Sequence, residues 1–404
     1  MPPHQSFTML IKPHHRLYSC FFLFSAITGA MYSRMPDIQR ALQVNEAQLG
    51  LTLIGAAIGS LISLTFASPL IEKLGARTTA YVTVIGSTTC FASLAFLTYA
   101  PLAFVMLFIA GLLAGGLEIN LNVQIGRLEV LTGRSLMSRA HGFWSIGFFV
   151  TSLVAAAIRQ AGIPAPWHLG GVLVLEVIGA AYVISGITTA PMPPTRDTEK
   201  PPLIAIPTLA LLPLCLIGIA AFMVEGAGID WSTIYMRDVF QSAPFIGGLG
   251  LTLFTLCMSI ARLYLGPVID RLGPRRVVTV LLIVCVVGLF AVWLAPHPYV
   301  ALLGFALLGG GASAVYPLVV SAAAQRTDRS ASANVAAVGQ ISFVIFFLGP
   351  PILGFVAHYI GIRWSYVVCL PLVIGSIFAV SALPARATPA TPGEVLPEPL
   401  SPNG

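Results

Sequence analysis

Apolar runs of about 20 residues or more follow one another along nearly the whole chain, and this leaves few folds open. Twelve can be marked: Leu17–Gln39, Glu46–Leu70, Thr79–Tyr99, Pro101–Gln124, His141–Gln160, Trp167–Thr188, Ile206–Tyr235, Phe245–Pro267, Arg276–Ala295, Tyr299–Ala323, Val335–His358 and Trp364–Leu383. A helix needs roughly 20 such residues to span a hydrocarbon core. Barrel strands would instead show alternating segments of about 10 residues. Composition points the same way. Of 404 residues, 57 % are hydrophobic and only 9 % charged, where a soluble domain carries about 25 %. Such a chain cannot cover a water-facing surface, but it can face lipid. The expected fold is an all-α membrane protein with twelve transmembrane helices. The first run continues past the small residues near Gly29 and reads as a span, not a cleaved leader. The six cysteines, Cys20, Cys90, Cys215, Cys257, Cys285 and Cys369, all fall inside runs with no CxxC pair. They read as packing residues, with no disulfide framework and no metal.

Positive residues concentrate on the cytoplasmic side of bacterial-type spans. With the N-terminus inside, 15 of the 21 Lys and Arg fall on the inner side and 5 on the outer, with Arg262 within a span. This predicts cytoplasmic N- and C-termini in a bacterial plasma membrane, and it assigns the net charge of +6 to inner loops, not to nucleic acid.

The chain repeats itself. LGLTL occurs at Leu49–Leu53 and again at Leu249–Leu253. Each copy is followed by a charged signature, SPLIEKLGAR (Ser68–Arg77) and GPVIDRLGPR (Gly266–Arg275). Between spans six and seven lies APMPPTRDTEKPP (Ala190–Pro202), a proline-rich charged stretch that reads as a linker. The predicted organisation is an N-terminal six-helix half (1–189), a cytoplasmic linker (190–205), a C-terminal six-helix half (206–384) and a disordered tail (385–404). An even number of spans per half makes the halves parallel repeats about an axis along the membrane normal.

These features resemble the major facilitator superfamily (MFS) over nearly the full length. That superfamily carries G-x-x-x-D-[RK]-x-G-[RK]-[RK] between its second and third helices. Gly266–Arg276 is close to it, while the first copy has Glu72 for the acid, Lys73 for the base and Thr78 for the last cation. The resemblance implies pseudo-symmetric halves around a central cavity, formed by helices 1, 2, 4, 5, 7, 8, 10 and 11. It makes Glu72, Lys73, Arg77, Asp270, Arg271 and Arg275 a conformational latch on the cytoplasmic side, beside the alternative that they only set orientation. MVEGAGIDWSTIYMRD (Met223–Asp238), GLEINLNVQIGRLE (Gly116–Glu129) and LGPPILG (Leu348–Gly354) resemble the branch that contains fucose–proton symporters.

Charges inside spans are costly and usually mark pathways or proton relays. Glu118 lies about nine residues, or roughly 13 Å, from the inner end of its helix. Asn122 shares its face at i+4. A buried carboxyl that gains and loses a proton can couple transport to a proton gradient, and the resembling symporters use an acid on the same helix. Glu225 is a second candidate for proton coupling. Gly226 and Gly228 beside it are expected to weaken the helix there. Asp230 and Trp231, with Arg34 or Arg237, are candidates for an extracellular gate. Arg262, Tyr316, Trp144 and Gln340 are candidates to line the substrate cavity with Asn122. Glu176, on an outer helix, reads as structural. GGGASAVYP (Gly309–Pro317) permits a bend.

The chain carries no G-x-x-x-x-G-K-[ST], H-E-x-x-H or G-x-S-x-G, so no cofactor and no enzyme chemistry is expected. The favoured reading is a monomeric secondary transporter moving a small, sugar-like or polar solute, proton-coupled, by alternating access. Proton-driven efflux of amphipathic compounds is the alternative, and a non-transporting membrane sensor or scaffold is the alternative of another class.

Overall fold

The structure, a computed structural model, describes residues 13–132, 136–190 and 205–385. The first half contains α1 (Pro13–Ser33), α2 (Met35–Leu42), α3 (Glu46–Phe66), α4 (Ser68–Ser93), α5 (Ala100–Thr132), α6 (Met137–Gln160) and α7 (Ala165–Ile184). The second contains α8 (Leu212–Phe240), α9 (Pro244–Tyr264), α10 (Gly266–Leu272), α11 (Pro274–Trp293), α12 (Pro298–Ala312), α13 (Val315–Ala324), α14 (Ala331–Tyr359), α15 (Ile362–Val367) and α16 (Cys369–Ala379). No strand occurs among the described residues. Eleven helical segments are long and apolar enough to cross a membrane. α1 has 21 residues and a start made polar by His14, His15 and Arg16, yet it packs along α6 and α7 as part of the bundle. Twelve spans result, because α12–α13 and α15–α16 are each one broken span.

The same pairings occur in both halves. The first span packs on the fifth (α1 on α6, α8 on α14), the second on the fourth (α3 on α5, α9 on α12) and the third on the fourth (α4 on α5, α11 on α12). Between halves the second span of each meets the fifth of the other, as α3 against α14 and α9 against α6. This reciprocity is what a two-fold pseudo-symmetry axis along the bundle requires.

The signature loops repeat to the level of backbone angles. Gly75 has φ 78° and ψ 161°, and Gly273 has φ 83° and ψ 153°. A side chain is strained in that region, so glycine is the residue for the turn from loop to span. Two positions later Arg77 Nε donates to the Ile187 carbonyl, and Arg275 Nε to the Leu383 carbonyl, both at 3.0 Å. Each arginine thus satisfies a carbonyl at the end of the sixth span of its own half. Glu72, Lys73, Asp270 and Arg271 are exposed.

Local chemistry explains several helix ends. α5 runs beyond its expected end to Thr132, because Glu129 Oε1 accepts the Leu136 and Met137 N–H groups at 2.6 and 2.9 Å and caps α6. The bend in span ten falls at Ser313 and Ala314. Pro317 has no N–H to give the Ser313 carbonyl four residues back. In one place the sequence misleads. Gly226 and Gly228 suggest a weak point, but α8 is unbroken from Leu212 to Phe240. The Phe254 ring fills the space a Cβ at Gly228 would need, so packing overrides propensity.

The bundle is tied at the end distal to the termini. Arg237 of α8 reaches the Pro36 carbonyl and Gln39 Oε1 of α2. Gln39 in turn binds Glu46, whose other oxygen is 3.5 Å from His358 Nδ1 of α14. Ser152 meets Thr252 at 3.4 Å across the α6–α9 seam.

Candidate functional site

A cavity of about 300 Å³ lies between the halves. α1, α3, α5 and α6 supply one wall, with Thr28, Tyr32, Ser60, Glu118, Trp144 and Phe148. α8 and α14 supply the other, with Glu225, Asp230, Phe343, Phe346 and Phe347. Three carboxylates therefore face a mostly apolar space to which eight aromatic side chains contribute. Trp144 packs on Phe148 with ring centroids 5.4 Å apart, and Phe222 gathers Tyr316, Phe343 and Phe346 at 4.2 to 5.3 Å behind the opposite wall.

The three acids differ in their partners. Glu118 makes no hydrogen bond or ion pair with any described residue. Glu225 Oε2 is 3.7 Å from Arg262. Asp230 shares the cavity wall with Tyr32 of the other half, and Thr233 Oγ1 donates to the Tyr32 carbonyl at 3.4 Å. Tyr32, at the end of an apolar run, is a site residue the sequence reading missed.

Arg262 owes its place to Pro317. Its Nε donates to the Ser313 carbonyl at 3.0 Å, the oxygen that Pro317 cannot satisfy. One guanidinium thus bridges the bend of span ten and the acid of span seven. Arg262→Ala is expected to lower stability by about 1–2 kcal/mol, since it orphans a buried carbonyl and a carboxylate. The value stays at the low end because the Arg262 side chain is 32 % exposed. Arg262→Lys should recover only part, because an ammonium lacks the fork. Thermal unfolding in detergent checks both.

Not every predicted residue lines the cavity. Asn122 follows Glu118 along α5, with its Oδ1 buried and without a partner among the described residues. Tyr316 stands behind the aromatic wall, within electrostatic reach of Glu118. Gln340 sits elsewhere, where its Oε1 accepts from the Ala205 N–H at 2.9 Å. Arg34 does not face Asp230. Its terminal nitrogen pairs with Asp37 at 3.0 Å and its Nε with His168 at 3.1 Å, because Asp37 is one helical turn away and His168 lies on the adjoining α7. Trp231 is fully buried behind the α3–α14 seam. Glu176 is buried on α7 and accepts from Thr88 of α4.

Two pseudo-symmetric six-span halves enclosing a cavity define a secondary transporter. A family model described as Major Facilitator Superfamily matches residues 214–402. Over 361 residues the chain is 24 % identical to an uncharacterized MFS-type transporter of Yersinia pestis, covering 89 % of this chain and 92 % of that one. It is 26 % identical to the uncharacterized transporter y4wD of Sinorhizobium fredii, covering 88 % and 94 %. Among solved structures, the nucleoside transporter NupG superposes with a TM-score of 0.69 at 14 % identity, over 92 % of this chain and 98 % of that one. The transporter FucP in its outward conformation gives 0.63 at 17 %, over 93 % and 99 %. The chain is thus similar to major facilitator superfamily transporters, by the family model over its C-terminal half and by fold over nearly its whole length.

Proposed function

We propose that this chain is a proton-coupled secondary transporter that carries a small polar organic solute through the cavity between its halves by alternating access. Glu118 takes the proton. The observation that carries the reading is a carboxyl group on the cavity wall with no partner among the described residues, midway along a membrane-spanning helix. A charge there is expensive unless it works, and a group with no fixed partner is free to exchange its proton with solute or water.

The termini face the cytoplasm by the distribution of basic residues, so the conformation is closed outward. The signature acids and bases become the latch for the opposite state, when the inner ends close. Ring faces beside carboxylates suit a polyhydroxylated solute, whose C–H face stacks while its hydroxyls donate to the acids. A second reading has its own observation. The lining holds Glu118, Glu225 and Asp230 and, among the described residues, no lysine or arginine, with Arg262 pairing with Glu225 from beside it, and this excess of acid also suits an amphipathic amine leaving the cell in exchange for protons.

Purified protein in liposomes with an imposed pH gradient separates the two, given a panel of sugars, nucleosides and aromatic amines. A polar neutral solute should accumulate on the alkaline side and leak back when a protonophore is added. Movement that ignores the gradient for every solute in the panel would rule out proton coupling.

A further inference from the structure

Basic residues are scarce on the distal side, yet Arg34, Arg40, Arg159 and Arg237 converge there on one pocket of about 500 Å³. Asp37 lies among three of them, 3.0 Å from Arg34, 3.0 Å from Arg159 and 3.7 Å from Arg40. Arg237 pairs with Asp238. One carboxylate does not satisfy three guanidinium groups, and Arg159 carries the deficit. Its side chain is 8 % exposed and its Nε binds Asp37. Neither of its terminal nitrogens makes a hydrogen bond among the described residues. Ser242 of the second half also lines the pocket, and its buried Oγ has no partner among the described residues. The Arg159 fork therefore offers the pocket N–H groups that no described residue accepts, beside a buried hydroxyl whose lack of a partner is costly. A phosphate supplies the oxygens, and a guanidinium fork fits it bidentately.

The surroundings say what carries the phosphate. Ile163 on the pocket's rim also heads an apolar groove of about 430 Å³ between α1, α6 and α7, walled by Ala30, Val154, Val172 and Leu175. Trp167 borders that groove and is 78 % exposed. Exposed tryptophans mark the level of lipid headgroups. A basic pocket at headgroup depth, opening onto an apolar groove that runs down the lipid-facing surface, matches an anionic phospholipid in both charge and shape.

We propose that the pocket binds the phosphate of an anionic phospholipid in the distal leaflet, with one acyl chain in the groove beside α7. The lipid joins Arg40 and Arg159 of the first half to Ser242 of the second, and so holds the distal end closed. This inference is independent of the transported solute.

The test is native mass spectrometry of the delipidated full chain titrated with phosphatidylglycerol or phosphatidylcholine, with thermal unfolding in parallel. Phosphatidylglycerol should be retained preferentially, and each of Arg159→Gln and Arg40→Gln should reduce that retention about fivefold. Arg40 is 62 % exposed, so its variant keeps the fold even if the buried Arg159 variant does not. Equal retention of the two lipids, or retention unchanged in Arg40→Gln, overturns the proposal. Glycerol phosphate or inorganic phosphate stabilising the wild-type chain as strongly as the lipid would also overturn it, by making the pocket a site for a free anion.

Discussion

Glu118→Gln is expected to abolish accumulation against a gradient while leaving exchange of solute for solute intact. One proton moved per solute lets each pH unit across the membrane drive about a tenfold accumulation, since one unit is worth about 1.4 kcal/mol. An amide has nearly the shape of the carboxyl but cannot load or release a proton in the working range. The variant should therefore still bind solute and still rock, and only the link to the gradient should be lost. Glu225→Gln makes a useful contrast. Glu225 already has Arg262 3.7 Å away, so its loss should weaken the C-terminal half and lower transport without uncoupling it. The measurements are uptake into liposomes with an imposed pH gradient and counterflow without one. A Glu118→Gln protein that accumulates solute as the parent does would remove Glu118 from the coupling role.

Much of this arrangement was legible in the sequence, for reasons of solvent. An ionisable residue in an apolar run is conspicuous because the membrane makes it costly, so Glu118, Glu225, Asp230 and Arg262 stand out without a structure. The repeat is visible because the loops must make the same turn twice, and Gly75 and Gly273 are fixed by one backbone conformation. Partners were less legible. That Arg262 serves the Ser313 carbonyl follows from Pro317 four residues on, a signal present in the sequence but readable only once span ten is known to pack on span eight. Arg34 looked like a partner for Asp230 because both lie near the outer end. Its choice of Asp37 and His168 depends on a helical turn and a neighbouring span. Tyr32 could not be told from an interfacial tyrosine, since its role arises only where α1 meets α8.

Gly354→Leu is expected to open the distal end and trap the chain away from the state seen here. A Cβ at Gly354 would lie 2.4 Å from the Glu46 carbonyl oxygen of α3 and 3.0 Å from the Trp231 ring. Neither neighbour can yield easily, because one is backbone in the opposite half and the other is a fully buried indole. The α3–α14 seam must separate instead. Gly50 makes the reciprocal contact, with a Cβ there 2.4 Å from the Pro350 carbonyl oxygen, so the seam closes through a matched pair of glycines. Overpacking of this kind costs about 1–3 kcal/mol, enough to shift a two-state balance by about 5- to 150-fold. The separation would also draw Glu46 away from His358 and so weaken the distal chain of polar contacts. Ala57 lines the cavity, and a cysteine placed there reports which end is open. A membrane-impermeant thiol reagent applied from the distal side should label Ala57→Cys in the Gly354→Leu background and spare it in the parent. Gly310→Ala, where a Cβ meets nothing within 4 Å, is the matched control for adding a side chain to a helical glycine. If folded Gly354→Leu protein stays as protected as the parent, this seam does not govern the distal gate.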